Sequence, residues 1–138
     1  MSLEPELPIE FIVQGVAISV QGSRSSIETW KRAIREAVRQ ALPEGYWLLT
    51  APVAVAIFLF PRAPLRGDID NRVKPILDAM SGHVFSDDAL VERLVVQKFE
   101  PGLAAGDDYP TTLLRSAFEA KHPLIYVRIT GKLDEGWF

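Results

Sequence analysis

The chain has 138 residues, 48% hydrophobic and 24% charged, the proportions of a soluble folded protein, so a single domain over 1–138 is expected and a second has no room. Cysteine is absent, which excludes disulfides, thiolate zinc sites and cysteine nucleophiles. The 15 basic residues against 18 acidic ones leave a net charge of -3, which weighs against a strongly basic nucleic-acid binder.

The opening MSLEPELPIEF is acidic and lacks the apolar core of a signal peptide. With no cysteine to suggest secretion, a reducing, cytoplasmic setting is expected. The longest apolar run, Ala51 to Pro61, is about half the ~20 residues of a membrane-spanning helix, so no membrane partner is expected and the run reads as a buried strand.

In chain order, Ile9, Phe11, Val13 and Val16 nearly alternate with polar residues or glycine, and predict a half-buried strand from Ile9 to Val16. A polar loop from Gln21 to Ser26 breaks it. Ile27, Trp30, Ile34, Ala37, Val38 and Ala41 then recur at helical spacing, predicting a helix over 27–42 with Ser26 as its N-cap. Lys31, Arg32, Arg35 and Arg39 make its other face basic, which reads first as a solvated face. Val53 to Phe60 is apolar on both faces, the pattern of a strand at the centre of a sheet.

The next helix is predicted over 71–80, where Val73, Ile76, Leu77 and Met80 form one apolar stripe and Pro75 lies near the start. A strand follows from about Val91 to Phe99. Residues 101–120 read as a long excursion with one helical turn near Leu113, Leu114 and Phe118, before a last strand from Leu124 to Ile129. The expected class is α+β: a mixed sheet with two main helices on one side, in the order β-α-β-α-β-β.

Three carboxylates stand where carboxylates are poor fold material: Asp68 and Asp70 before the second helix, and Asp88 before the next strand. Bringing both loops to one end of the sheet would cluster them. Like charges held together need a neutralising cation, and hard oxygen donors select magnesium or manganese. The plain alternative for Asp70 or Asn71 taken singly is a helix cap. An EF-hand is excluded, because Arg72 and Ala79 occupy two ligand positions of that loop. Lys74 lies on one helix face with Asp70 and Asp78, at i, i+4 and i+8, where it can balance the acids, touch a phosphate, or simply form surface salt bridges.

The run from Gly67 to Met80, with Asp68, Asp70, Asn71, Lys74 and Asp78, followed by Phe85-Ser86-Asp87-Asp88-Ala89-Leu90-Val91, resembles the RusA family of Holliday junction resolvases. Its signature is D-x-D-N-x-x-K, a helical aspartate, then D-D-x-x-V. The likeness is tight over these segments and loose elsewhere, most of all at the amino-terminal end. It implies a homodimeric, magnesium-dependent endodeoxyribonuclease that cuts four-way DNA junctions, with manganese as a substitute ion. By position it implies Asp68, Asp70 and Asp88 as metal-binding catalytic acids, Lys74 as the catalytic lysine, and Asp78 and Asp87 in support. The alternatives are a non-catalytic binding protein of the same fold whose aspartates are caps, and a metal-dependent hydrolase of other phosphoesters. Retention of all four candidate residues argues against the first, and the second would want a deep pocket.

His83 and His122 are too isolated for a zinc site or a triad, and His83 reads as a turn residue. Trp47 and Trp137 could stack on bases, but core or edge packing is the expected fate of each.

Overall fold

The computed structural model describes residues 5–101 and 111–131. Its elements are β1 (Ile9–Gln14), α1 (Arg24–Ala41), β2 (Val53–Phe60), α2 (Asp70–Met80), a 3-10 turn (Asp88–Leu90), β3 (Val91–Lys98), α3 (Thr112–Glu119) and β4 (Leu124–Thr130). The expected α+β class and the order of the main elements hold, with α3 added between the last two strands.

The sheet order is β1-β4-β2-β3. β4 runs antiparallel to both β1 and β2, while β2 and β3 are parallel, as the intervening α2 requires. The continuous apolar run of β2 is explained by its place: every position is buried, as in its neighbour β4. β3 is an edge strand with only partial burial.

Each face has its own core. On one, Val53, Val55, Ile57 and Leu59 pack with Trp30, Ile34 and Val38 of α1 and Val73, Ile76, Ala79 and Met80 of α2. On the other, Ala56, Phe58, Phe60 and Tyr126 meet Leu114 and Ala117 of α3. Phe60 stacks on Phe99 at 5.0 Å and meets Phe118 edge-on at 4.8 Å, so aromatic rings close this second layer. The two main helices therefore share one side, as expected, but the excursion supplies a full cover for the other. Its single expected turn is an eight-residue helix, capped by the Thr111 hydroxyl, which accepts from the Leu114 amide. Residues 102–110 of that excursion lie outside the described residues.

Two boundaries differ from the sequence pattern for local reasons. β1 stops at Gln14 because Gly15 has φ +128°, and a Cβ there would lie 3.0 Å from the Trp30 ring. α1 begins at Arg24, three residues before the first apolar position, because Ser23 and not Ser26 is the N-cap; its hydroxyl accepts from the Ser26 amide at 3.1 Å. The strand expected to end at Phe99 stops at Lys98, and the one expected to end at Ile129 continues to Thr130.

Candidate active site

α2 opens without a side-chain cap. Its N-cap residue is Ile69, in helical conformation, and no side chain bonds the free amides there. The capping role open to Asp70 or Asn71 is thus not what the structure shows, and Asp70 is the first residue of the helix. Asp68 and Asp70 are exposed, and among the described residues neither carboxylate takes part in a hydrogen bond or ion pair. Asp70 is well placed all the same, since the free amides of a helix start favour negative charge.

The loop before α2 is held by two contacts that cross to the β1–α1 connection. Pro75 sits inside α2 and has no N–H, so the Asn71 carbonyl lacks its helical donor. The Val20 amide takes that place, donating to the Asn71 oxygen at 2.8 Å. One residue on, the Arg72 guanidinium donates to the Ala17 carbonyl and, at 2.9 Å, to the Arg66 carbonyl. The residues flanking Asp68 and Asp70 are thereby fixed against the body of the protein. Gly67, at φ +82°, turns the chain between Arg66 and Asp68 in a conformation that disfavours other residues.

Asp88 arrives differently from the expectation that both loops meet at one end of the sheet. Because β2 and β3 are parallel, the loop leaving β2 and the loop entering β3 lie at opposite strand ends. α2 spans the interval, and the candidate residues form a strip along its outer face. Lys74 joins them: its Nζ lies 2.8 Å from Asp78 Oδ1 and 3.5 Å from Asp88 Oδ2. The bond to Asp78, its charge and that of Asp88 together raise the Lys74 pKa, so the amine stays protonated at any physiological pH. The surface salt bridge is therefore real for Asp78, while the second partner is Asp88 and not Asp70. Asp70 and Lys74 instead line one open groove of about 400 Å³ between α2 and β3, floored by Val73, Leu77, Leu94 and Val96.

Asp87 has a separate task. Its carboxylate accepts from the Ala89 amide at 2.8 Å and caps the 3-10 turn that presents Asp88. That backbone bond holds the Asp87 pKa below the ordinary carboxylate value. Among the described residues, no three carboxylate or histidine side chains converge as a ready-made metal cage. The structure thus brings together Lys74, Asp78 and Asp88, sets Asp70 beside Lys74 in one groove, and leaves Asp68 at the mouth of the anchored loop.

Sequence reasoning missed Arg72, whose role depends on carbonyls distant in sequence; of the two fates expected for Trp47, a place in the core is ruled out, since the ring is 65% exposed. Trp137 lies outside the described residues. His83 is the turn residue expected. His122 bonds the Ala117 carbonyl at 2.8 Å and lies against the Phe60 ring, a packing role.

The strip and the loop before α2 fall within a stretch that a protein-family comparison identifies. Residues 21–106 match the model of the endodeoxyribonuclease RusA family, from the loop before α1 to beyond β3. The match covers more than half of the 138 residues, and the chain belongs to the RusA endodeoxyribonuclease family. No match was found among curated proteins.

Proposed function

We propose that this chain is a divalent-metal-dependent endodeoxyribonuclease that resolves four-way DNA junctions in recombination and repair, working in the cytoplasm as a homodimer. The observation that carries the reading is Lys74, whose ammonium links the helix bearing Asp70 and Asp78 to the turn bearing Asp88. The uncapped start of α2 supports it over a non-catalytic reading, since Asp70 is not consumed as a cap. The open, mainly apolar groove offers no enclosed pocket for a small phosphoester.

The donor chemistry fits a hard cation: Asp68, Asp70 and Asp88 are all carboxylates, at least partly exposed to solvent. They would hold magnesium, or manganese in its place, and the ion would supply Lewis acidity at the scissile phosphate and an activated water. The chain's own part is positioning and charge. The Arg72 and Val20 contacts hold the Asp68–Asp70 loop in register, and Asp87 holds the turn that carries Asp88. Lys74, kept protonated and within reach of the groove, donates to a non-bridging phosphate oxygen and offsets the charge that gathers there during displacement. Asp78 keeps the amine aligned when it leaves Asp88.

Resolution cuts two strands related by an approximate two-fold axis, and each chain carries one acidic strip, so two copies related by symmetry supply both cuts. Lys74→Met separates this role from a surface salt bridge. The two exposed pairs it removes, with Asp78 and Asp88, are together worth about 1 kcal/mol or less, so folding should be little changed while single-turnover cleavage falls by orders of magnitude with junction binding retained. A variant that cleaves at the wild-type rate would return Lys74 to the helix surface.

A further inference from the structure

Lys74 has a choice of acids, and the one it takes is not the one that local helix chemistry favours. Asp70 lies four residues before it on α2, and Asp78 lies four residues after. In an isolated helix the pair with the acid first is the better oriented, which favours Asp70. The structure has the reverse: the Lys74 ammonium donates to Asp78 Oδ1 at 2.8 Å, while Asp70 makes no ion pair among the described residues. A second contact explains the direction. Asp88 Oδ2, on the 3-10 turn after α2, lies 3.5 Å from the same Nζ, so turning toward Asp78 gives the amine two carboxylates in place of one.

The two contacts differ in strength. The bond to Asp78 is short and stays within one helix. The one to Asp88 is long, crosses between two elements, and joins side chains that are 57% and 38% exposed, where an ion pair contributes little and is readily exchanged. The turn does not need it for its own shape, because the Asp87 carboxylate already accepts from the Ala89 amide at 2.8 Å. Its effect is on charge: it sets one positive charge against Asp88, the candidate ligand farthest from the loop that bears the other two. A cation that approaches Asp88 meets the ammonium there, and two positive charges at one carboxylate repel.

We propose that Lys74 is the internal counterion of Asp88 and competes with a divalent cation for it, with Asp78 as the acid to which the amine retreats. This rests on the reading of the strip as a metal-dependent nuclease and goes beyond it in two ways. A residue that is not a ligand sets the affinity for the cation, and release of the amine from Asp88 is coupled to cation uptake, because two sites that exclude one another are linked in both directions. The asymmetry of the contacts makes this possible: the partner within the helix is strong enough to keep the amine, and the partner across the gap is weak enough to be given up.

The test is calorimetric titration of manganese into the metal-free full chain, without DNA and at one pH and ionic strength, for the wild type, Lys74→Met, Asp78→Asn and the double variant, with Lys74→Gln as a second neutral replacement. Removing the amine should tighten manganese binding about threefold to tenfold, since the competing charge is gone. Asp78→Asn should weaken it, because the amine then rests on Asp88 alone, and this loss should be at least about twofold smaller when Lys74 is already Met. Unfolding curves check that each exposed substitution leaves the fold intact at the titration temperature. Neutral variants at position 74 that bind manganese no more tightly than the wild type would overturn the proposal. So would an Asp78→Asn effect of the same size in both backgrounds, which would leave only charges acting at a distance. Uptake by the wild type that is lost in Asp70→Asn reports on the parent reading separately: a protein that binds manganese at the strip yet ignores Lys74 refutes only the counterion, and one that binds none refutes both.

Discussion

Arg72 offers the sharpest mutational test of how the loop bearing Asp68 and Asp70 is held. Its guanidinium joins the Ala17 and Arg66 carbonyls, which are 55 and 6 residues away along the chain. A hydrogen bond from a charged donor is worth about 1.5–3 kcal/mol, but the bond to Arg66 is exposed, so the pair together contributes about 2–3 kcal/mol. For a chain of this size each kcal/mol moves the melting temperature by about 3–4 °C, so Arg72→Ala should melt about 6–12 °C below the wild type. Arg72→Lys should recover less than half of this, since an ammonium cannot span two carbonyls as the planar fork does. Cleavage should suffer more than stability, because a loop displaced by about 1 Å costs on the order of a hundredfold in rate. Scanning calorimetry and magnesium-supported nicking at a temperature where both proteins are folded read the two effects. If Arg72→Ala melts within about 1 °C of the wild type and nicks at its rate, the loop is held by something else and the reasoning fails.

Two further outcomes follow from the same geometry. The Asp87 pKa is lowered in the folded protein, so its contribution to stability is complete above the ordinary carboxylate value and is lost as pH falls through the lowered one; Asp87→Ala should remove that acid-side dependence, and a wild-type-like pH profile of melting temperatures for the variant would refute the cap. Light scattering should give twice the 15.4 kDa of the chain, and a strict monomer that binds linear duplex as well as four-way junction would sink the junction assignment.

Much of this arrangement is legible from residue order because it depends on neighbours. The unbroken apolar run of Val53–Phe60 announces a central strand, and the stripe of Val73, Ile76 and Met80 announces the buried face of α2. The spacing from Asp68 through Lys74 to Asp88 points to the family before any coordinate is seen. What escapes is set by competition or by distance. Three serines at 23, 25 and 26 are all competent caps, so the apolar period, which starts at Ile27, misplaces the start of α1. Leu113, Leu114 and Phe118 form a patch too short to announce a helix until Phe58, Phe60 and Tyr126 show a second face in need of cover. A cluster at one sheet end is what residue order suggests, because only the parallel pairing of β2 and β3 shows that their adjoining loops lie apart. Arg72 and Trp47 look ordinary in sequence, since the carbonyls that bind the one and the exposure of the other are properties of the folded chain.

The central claim, that the carboxylates of this strip make a metal-dependent junction nuclease, is tested most directly by titrating magnesium into the protein with an end-labelled four-way junction and following strand cleavage, with Asp70→Asn alongside. The amide keeps the size of the side chain and relieves carboxylate repulsion, so the variant should fold at least as well as the wild type while losing metal affinity. The account predicts paired nicks on opposed strands that appear only with magnesium or manganese and are abolished in the variant. Cleavage that proceeds equally in EDTA, or an Asp70→Asn protein that cuts at the wild-type rate, would contradict it.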